Sequence, residues 1–276
     1  MPGTFKPKVP VTQGRLTRKD YAMKEKLYTI PLNDAVNAND ECPFCFVERE
    51  VEQGLLDFCL GSGSSYMVSE IRDITDKEGF CRAHYKKMFD YGNTLGNAWM
   101  LKTHYMEMRR QMDKVMDSYK PGAKPSIFAK KPADGGMRNS VAAWVKEKTD
   151  SCYICNQFKE TYARYLDTFI YLWKNDPEFR EKIKNSKGFC IAHFGDLCEA
   201  AENKLNEKEK EELFAVIFPL MRSNMERLQE DVNWMIEKFD HRNANADWKT
   251  SKDAIQRGMQ KLKGGHPADP VYQQKK

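Results

Sequence analysis

Two recurring sets of cysteine and histidine residues constrain this chain more than any other feature. The first set is Cys42-Pro43-Phe44-Cys45 followed by Gly79-Phe80-Cys81-Arg82-Ala83-His84, and the second is Cys152-Tyr153-Ile154-Cys155 followed by Gly188-Phe189-Cys190-Ile191-Ala192-His193. In the first set 35 residues separate the second cysteine from the third, and in the second set 34 do. Two four-donor sets at matched spacing indicate two metal sites.

The donor types and their local spacing suit a closed tetrahedral site. Three thiolates and one imidazole are a standard structural set for zinc. A Cys-x2-Cys turn lets two thiolates converge on one ion, and the residues of Cys-x2-His lie on one face of a helix. The predicted first site is Cys42, Cys45, Cys81 and His84, and the predicted second site is Cys152, Cys155, Cys190 and His193. This pairing assumes that each half completes its own site, and an exchange of ligands between the halves stays open.

Zinc, as two ions, is the expected cofactor. A Cys3His set also holds iron-sulfur clusters in some proteins, so that alternative stays open. A glutaredoxin-like redox motif at Cys42 to Cys45 is disfavoured, because the second copy lacks the proline and no βαβ pattern surrounds either copy.

The hydrophobic periodicity predicts an all-α fold made of two related helical units. Apolar residues recur at helical spacing and strand patterns are almost absent. The expected first metal-binding repeat covers residues 23–117 and the second covers 141–240. A flexible basic linker (118–140), a disordered extension (1–22) and a basic C-terminal tail with a short helix (241–276) complete the chain.

Composition and charge narrow the class of protein. No apolar run approaches the roughly 20 residues that span a bilayer, and the first 20 residues lack the apolar core of a secretory signal. We therefore expect a cytoplasmic protein without a membrane partner, in which the two Cys-x2-Cys pairs among the eight cysteines serve metal binding and not disulfides.

The net charge of +5 is unevenly distributed. Basic residues are in excess at the N-terminus, in the linker and in the C-terminal tail, which leaves the helical body acidic. A dedicated nucleic-acid surface usually carries its basic stripe on folded elements, so this distribution disfavours one. Contact of nucleic acid with the basic tail or linker stays open, and an unidentified protein is the expected partner.

The remaining reactive side chains fit packing roles. Cys59 and Cys198 are expected in the core, and His104 is expected to pack within a long helix. The methionines and aromatic residues of the two long helices should form the core and the seam between the halves. Motifs for nucleotide binding, for a nucleophilic serine and for a zinc protease are absent from the sequence, so no catalytic residue is assigned and an enzyme is disfavoured.

Several segments resemble those of a known but uncharacterised family from anaerobic Gram-positive bacteria. The resemblance rests on residues 23–31, the Cys-Pro-Phe-Cys pair, residues 65–67, Gly79 to His84, residues 92–93, residues 101–104 and the segment Trp248-Lys249-Thr250-Ser251-Lys252-Asp253-Ala254. It covers nearly the whole chain after residue 22. It implies no particular activity.

Three functions are therefore weighed from the sequence. The first is a protein with two structural zinc ions and a role in interaction or regulation. The second is a redox or metal sensor that holds iron-sulfur clusters or labile zinc. The third is a small-ligand binder or enzyme that uses a cleft between the repeats, near Trp99 and His104.

Overall fold

A computed structural model describes residues 18–63, 65–120 and 139–269. These residues form eleven α-helices, three short 3-10 helices and no β-strand, which confirms the all-α prediction. The α-helices are α1 (Arg18–Asn37), α2 (Pro43–Leu60), α3 (Ser69–Glu78), α4 (Arg82–Tyr91), α5 (Thr94–Ser118), α6 (Ser140–Asp150), α7 (Tyr153–Asn175), α8 (Pro177–Lys184), α9 (Ile191–Lys204), α10 (Glu207–Glu237) and α11 (Ala254–Lys263).

Local sequence signals fix several helix starts. Asp176 caps α8 by accepting a hydrogen bond from the backbone N–H of Phe179, and Pro177 occupies the first position, where no N–H is needed. At α10, Asn206 and Glu209 form a reciprocal capping box. Helices α8 and α10 therefore begin at the capping signals that the sequence carries.

Helix α1 begins inside the expected disordered extension (1–22) and continues to Asn37. It runs through Pro31 in its interior, which is unusual because proline removes a backbone donor. Leu32 and Ala35 are buried, so tertiary packing outweighs the local preference of proline. Residues 1–17 of the expected extension and 121–138 of the expected linker lie outside the described residues.

The described chain divides into two compact units. Unit 1 is Glu52–Lys159, and unit 2 combines residues 18–51 with 160–269. The expected repeats 23–117 and 141–240 stay a prediction, and the division into units falls within α2 and α7. Residues 43–51 of α2 belong to unit 2, and residues 153–159 of α7 belong to unit 1.

In unit 1, α3, α4 and α6 all contact the long helix α5. The buried side chains come mainly from the second half of α2, with Leu55, Leu56 and Cys59, and from Met88 and Met100. The methionines and aromatic residues of α5 were expected in the core, and for several of them this is wrong. Tyr105, Met106 and Met116 are each more than half exposed.

In unit 2 the core is aromatic. Phe44 packs against Phe169 and Phe189, with ring centroids 5.6 and 5.7 Å apart, and Phe169 packs edge-on against Phe179. All four rings are fully buried. Because Phe44 lies between Cys42 and Cys45, this core holds one cysteine pair in place.

Among the helices of the described residues, none combines the length and the apolar character that crossing a membrane requires.

Candidate metal centres

Unit 2 contains the first cluster of metal-binding side chains, which we call site A. It consists of Cys42, Cys45, Cys190 and His193, all four buried. The Nδ1 atom of His193 lies 3.4 Å from the sulfur of Cys42, 3.6 Å from that of Cys45 and 3.2 Å from that of Cys190. The three thiols therefore surround one ring nitrogen.

Unit 1 contains the second cluster, site B, made of Cys81, His84, Cys152 and Cys155. The Nδ1 atom of His84 lies 3.2 Å from the sulfurs of Cys81 and Cys152 and 3.4 Å from that of Cys155. The sulfurs of Cys81 and Cys155 are 3.9 Å apart. The backbone N–H of Tyr153 donates to the carbonyl of Gly79 at 2.9 Å, which joins the two segments that carry the donors.

The eight predicted residues thus form two clusters, but the predicted pairing is wrong. Each Cys-x2-Cys pair meets the Cys-x2-His pair of the other half, which is the exchange that the sequence left open. The division of α2 and α7 between the two units agrees with this pairing. Their first turns, which carry Cys45 and Cys155, pack in a different unit from the rest of each helix.

Every donor lies at the start of a helix. Cys81 and Cys190 directly precede α4 and α9, and both histidines lie in the first turn that follows. Cys42 and Cys152 likewise precede α2 and α7. Because unpaired backbone N–H groups give a helix N-terminus a partial positive charge, these positions stabilise thiolates.

The distances between donors fit one tetrahedral ion at each site. Zinc binds sulfur at about 2.3 Å and imidazole nitrogen at about 2.0 Å, so a tetrahedron places sulfur about 3.5 Å from nitrogen and about 3.8 Å from another sulfur. The sulfur–nitrogen distances in both sites run from 3.2 to 3.6 Å. The donor sets can therefore hold a metal ion with little rearrangement.

Each histidine has a carboxylate partner that the sequence analysis missed. The Nε2 atom of His84 lies 2.8 Å from Oε1 of Glu52, and the Nε2 atom of His193 lies 3.4 Å from Oε1 of Glu48. Lys87 contacts the other oxygen of Glu52. A carboxylate in this position fixes the ring with Nδ1 facing the thiols, as it does for histidine ligands of zinc. The signal was present, since Glu48 and Glu52 are four residues apart on the helix that follows Cys45.

The clustered donors shift one another's pKa values. At site B, burial favours the neutral ring, but hydrogen bonds to Cys152 and Glu52 raise the pKa of His84 to about 10. Burial also opposes ionisation of Cys152, yet hydrogen bonds from His84 and from backbone groups lower the pKa of that thiol to about 6.

The donors of site A shift one another's pKa values in the same way. Hydrogen bonds from Cys42 and Cys45 hold the pKa of Cys190 far below its usual range. Burial opposes protonation of His193, but hydrogen bonds to Cys190, Cys42 and Glu48 raise its pKa to about 12. The donors of each site therefore favour a thiolate next to a positive charge, and a divalent cation would supply that charge more strongly than a proton.

The two sites differ in solvent access. All donors of site A are buried, whereas Cys81 and Cys155 of site B are partly exposed. All eight cysteines lie among the described residues and all are free thiols. Cys59 is fully buried as expected, while Cys198 is partly exposed and belongs to neither site.

His104 has a packing role. Its Nδ1 atom lies 2.9 Å from the carbonyl oxygen of Asp76, and its ring lies against Gly79, two residues before Cys81 in the chain. Gly79 has φ +65° and ψ −160°, a conformation that is almost restricted to glycine. This pair shapes the turn that presents Cys81, which agrees with the predicted packing role of His104.

A protein-family model matches residues 23–269 of the chain. The chain belongs to the family of unknown function DUF6062. The match covers both sites and confirms the resemblance to an uncharacterised family. No curated protein and no solved structure matches the chain. The DUF6062 family has no assigned function, and the two sites are the features of this chain that indicate one.

Proposed function

We propose that this DUF6062 protein binds one zinc ion at each site and that the ions stabilise its two helical units. Cys42, Cys45, Cys190 and His193 would hold one ion, and Cys81, His84, Cys152 and Cys155 the other. The observation that carries the proposal is the convergence of three thiols on one imidazole Nδ1 atom in each unit, with the opposite Nε2 atom on a glutamate.

Donor spacing favours a single ion over an iron-sulfur cluster. The ligands of a cluster bind different iron atoms and stand apart around a core several atoms wide. At both sites the three sulfurs instead lie within 3.6 Å of one nitrogen. Zinc is proposed over a single iron because closed Cys3His sets are standard structural zinc sites.

The proposed role is structural support for interaction or regulation, with an unidentified protein as partner. Four protein donors fill a tetrahedral site and leave no position for a substrate or an activated water, which a catalytic zinc requires. Eight free thiols fit a reducing compartment, so the cytoplasm is the proposed location. A structural zinc ion contributes on the order of 10 kcal/mol to folding, and this would explain eight donors in a chain of 276 residues.

Metal analysis tests this proposal. Protein purified without oxygen should contain two equivalents of zinc and show no visible absorption band. Iron and inorganic sulfide together with a visible absorption band would show that the sites hold iron-sulfur clusters and not zinc. The absence of any metal from a folded protein would contradict the proposal as a whole.

A second candidate, a metal or redox sensor, is favoured by one observation at site B. Cys81 and Cys155 are partly exposed, so reagents and competing chelators reach this site more readily than site A. Replacing Cys81 by serine separates the two roles. A structural ion predicts that unit 1 loses helicity, whereas a sensor predicts a folded protein that has lost one equivalent of metal.

A further inference from the structure

Helix α11 buries polar side chains and exposes apolar ones, which is the reverse of most surface helices. Its apolar residues Ile255, Met259 and Leu262 are 44%, 54% and 52% exposed. Its polar residues Arg257, Gln260 and Lys261 are buried instead. Apart from Ala254, no apolar side chain of α11 is buried, so its polar contacts account for most of what holds the helix in position.

Lys261 makes the most informative of these contacts. Its side chain is only 1% exposed, and its ammonium group donates to the carbonyl oxygens of Glu41 and Lys187, each at 2.6 Å. Glu41 directly precedes Cys42, and Lys187 lies three residues before Cys190. One buried ammonium therefore joins the two chain segments that bring thiols to site A.

A network of charges holds Lys261 in place. The carboxylate of Glu41 is buried and lies 3.2 Å from Lys261, 2.6 Å from Arg227 and 3.5 Å from Arg257. Arg257 in turn pairs with Asp231 of α10 at 2.9 Å. Buried charges are tolerated when they are paired in this way, and removal of one partner is costly.

Two further contacts join α11 and the residues after it to the chain around Cys42 and Cys45. Gln260 donates to Oδ1 of Asp40 at 2.6 Å, and the same oxygen accepts from the backbone N–H of Cys42. Beyond the helix, Asp269 pairs with Arg49 at 2.8 Å, one turn after Cys45 on α2.

Gly264, at the end of α11, lies directly over the thiols. A Cβ atom built on it would lie 3.6 Å from the sulfur of Cys190 and 3.7 Å from that of Cys45. Its φ of +78° allows the chain to turn across the site at this point. The backbone at Gly264 therefore covers the side of site A where these two sulfurs meet.

We propose that residues 251–269 form a lid that controls exchange of the metal at site A, with Lys261 as the positioning residue. The lid rests on the proposed binding of zinc. It closes site A through polar contacts that can open without exposing a hydrophobic core. Site B keeps two partly exposed thiols, so the two sites should exchange metal at different rates.

The test is the release of zinc from the full-length protein to an excess of a chromogenic chelator, with alkylation of the freed cysteines read by mass spectrometry. The wild-type protein should release zinc in two phases. Cys81 and Cys155 should become alkylated in the fast phase, and Cys45 and Cys190 in the slow phase. Lys261→Met should accelerate the slow phase by about tenfold or more and leave the fast phase unchanged.

Lys263→Met is the matched control, because Lys263 is an exposed lysine of the same helix, and it should change neither phase. If Lys261→Met only lowered the general stability of the protein, both phases of zinc release would accelerate, and that result would contradict the proposed lid. An unchanged slow phase would contradict it as well. If Lys261→Met does not fold, Asp269→Asn opens the partly exposed ion pair with Arg49 and should accelerate the slow phase alone. Release of the two zinc ions at equal rates would contradict the lid but not the proposed binding of zinc. A protein without zinc would contradict the proposed function, on which the lid depends.

Discussion

The Nε2 atom of His84 lies 2.8 Å from Oε1 of Glu52, and the opposite ring nitrogen faces the three thiols of site B. This relationship ties the orientation of one metal donor to a carboxylate on another helix. It also gives a test of whether this carboxylate supports metal binding at site B.

Glu52→Gln should weaken zinc binding at site B by about 10- to 100-fold, because the amide orients the ring less firmly and lowers its basicity. Competition with a chelator of known affinity measures the effect. Glu50→Gln is the control, since Glu50 is exposed on the same helix, and it should bind as the wild type does. Equal affinities in Glu52→Gln and Glu50→Gln would show that the carboxylate has no such role.

The exchanged pairing makes a prediction that the pairing within each half does not. Cys190→Ser should reduce bound zinc from two equivalents to one and leave Cys42 and Cys45 open to alkylation, while Cys152 and Cys155 stay protected. Mass spectrometry of the alkylated peptides distinguishes the two arrangements. Exposure of Cys152 and Cys155 with protection of Cys42 and Cys45 would restore the pairing first expected from the sequence.

Helix positions were predictable because apolar residues recur at helical spacing and because glycine, asparagine and aspartate mark the ends. Helix α1 was not predictable in the same way, since Pro31 is a strong local signal against a helix and only burial of Leu32 and Ala35 outweighs it. The duplication of the helical unit stays a hypothesis.

The donor residues were predictable from spacing, but their pairing was not. Both arrangements combine one Cys-x2-Cys with one Cys-x2-His, and the local spacing is the same in each. The choice depends on contacts between residues far apart in the chain, such as Cys42 and His193, 151 positions apart. Glu48 and Glu52 were missed because a glutamate on a helix is ordinarily solvated, and only the position of the imidazole gives it a role.

Gly79→Ala should destabilise unit 1 by about 2–3 kcal/mol, because its backbone conformation is almost restricted to glycine. A Cβ atom would also lie 2.9 Å from Cε1 of His104. Urea denaturation followed by circular dichroism gives the free energy of unfolding. Gly63→Ala, where the added Cβ atom meets nothing within 4 Å, should change stability by less than about 0.5 kcal/mol. A stable Gly79→Ala variant would show that this turn can relax.

Asp231 should make the stability of unit 2 depend on pH. Burial opposes its ionisation, but hydrogen bonds from Thr250 and Arg257 outweigh that effect and lower its pKa. Because the folded pKa lies below the unfolded value of about 3.9, the stabilisation is present above that pH and is lost as the pH falls through the folded pKa.

Asp231→Asn should therefore cost about 1.5–3 kcal/mol near pH 7, a cost that stays constant down to about pH 5 and shrinks below about pH 4. Urea unfolding of the two proteins across this pH range measures the difference. Glu230→Gln, a change at an exposed neighbour, is the control. If the stability difference between the two proteins did not vary with pH, ionisation of Asp231 would not be the source of the pH dependence.

The exchanged pairing also sets an order in which the protein can be built on the ribosome. The donors of site B span residues 81 to 155 inside a continuous stretch of chain, so that site can close while the second half is still being translated. Site A joins Cys42 to His193, and its N-terminal cysteines must wait until about 150 further residues have been synthesised. During that interval Cys42 and Cys45 lack the donors of Cys190 and His193, so we expect this thiol pair to be more open to oxidation in the nascent chain than the donors of site B.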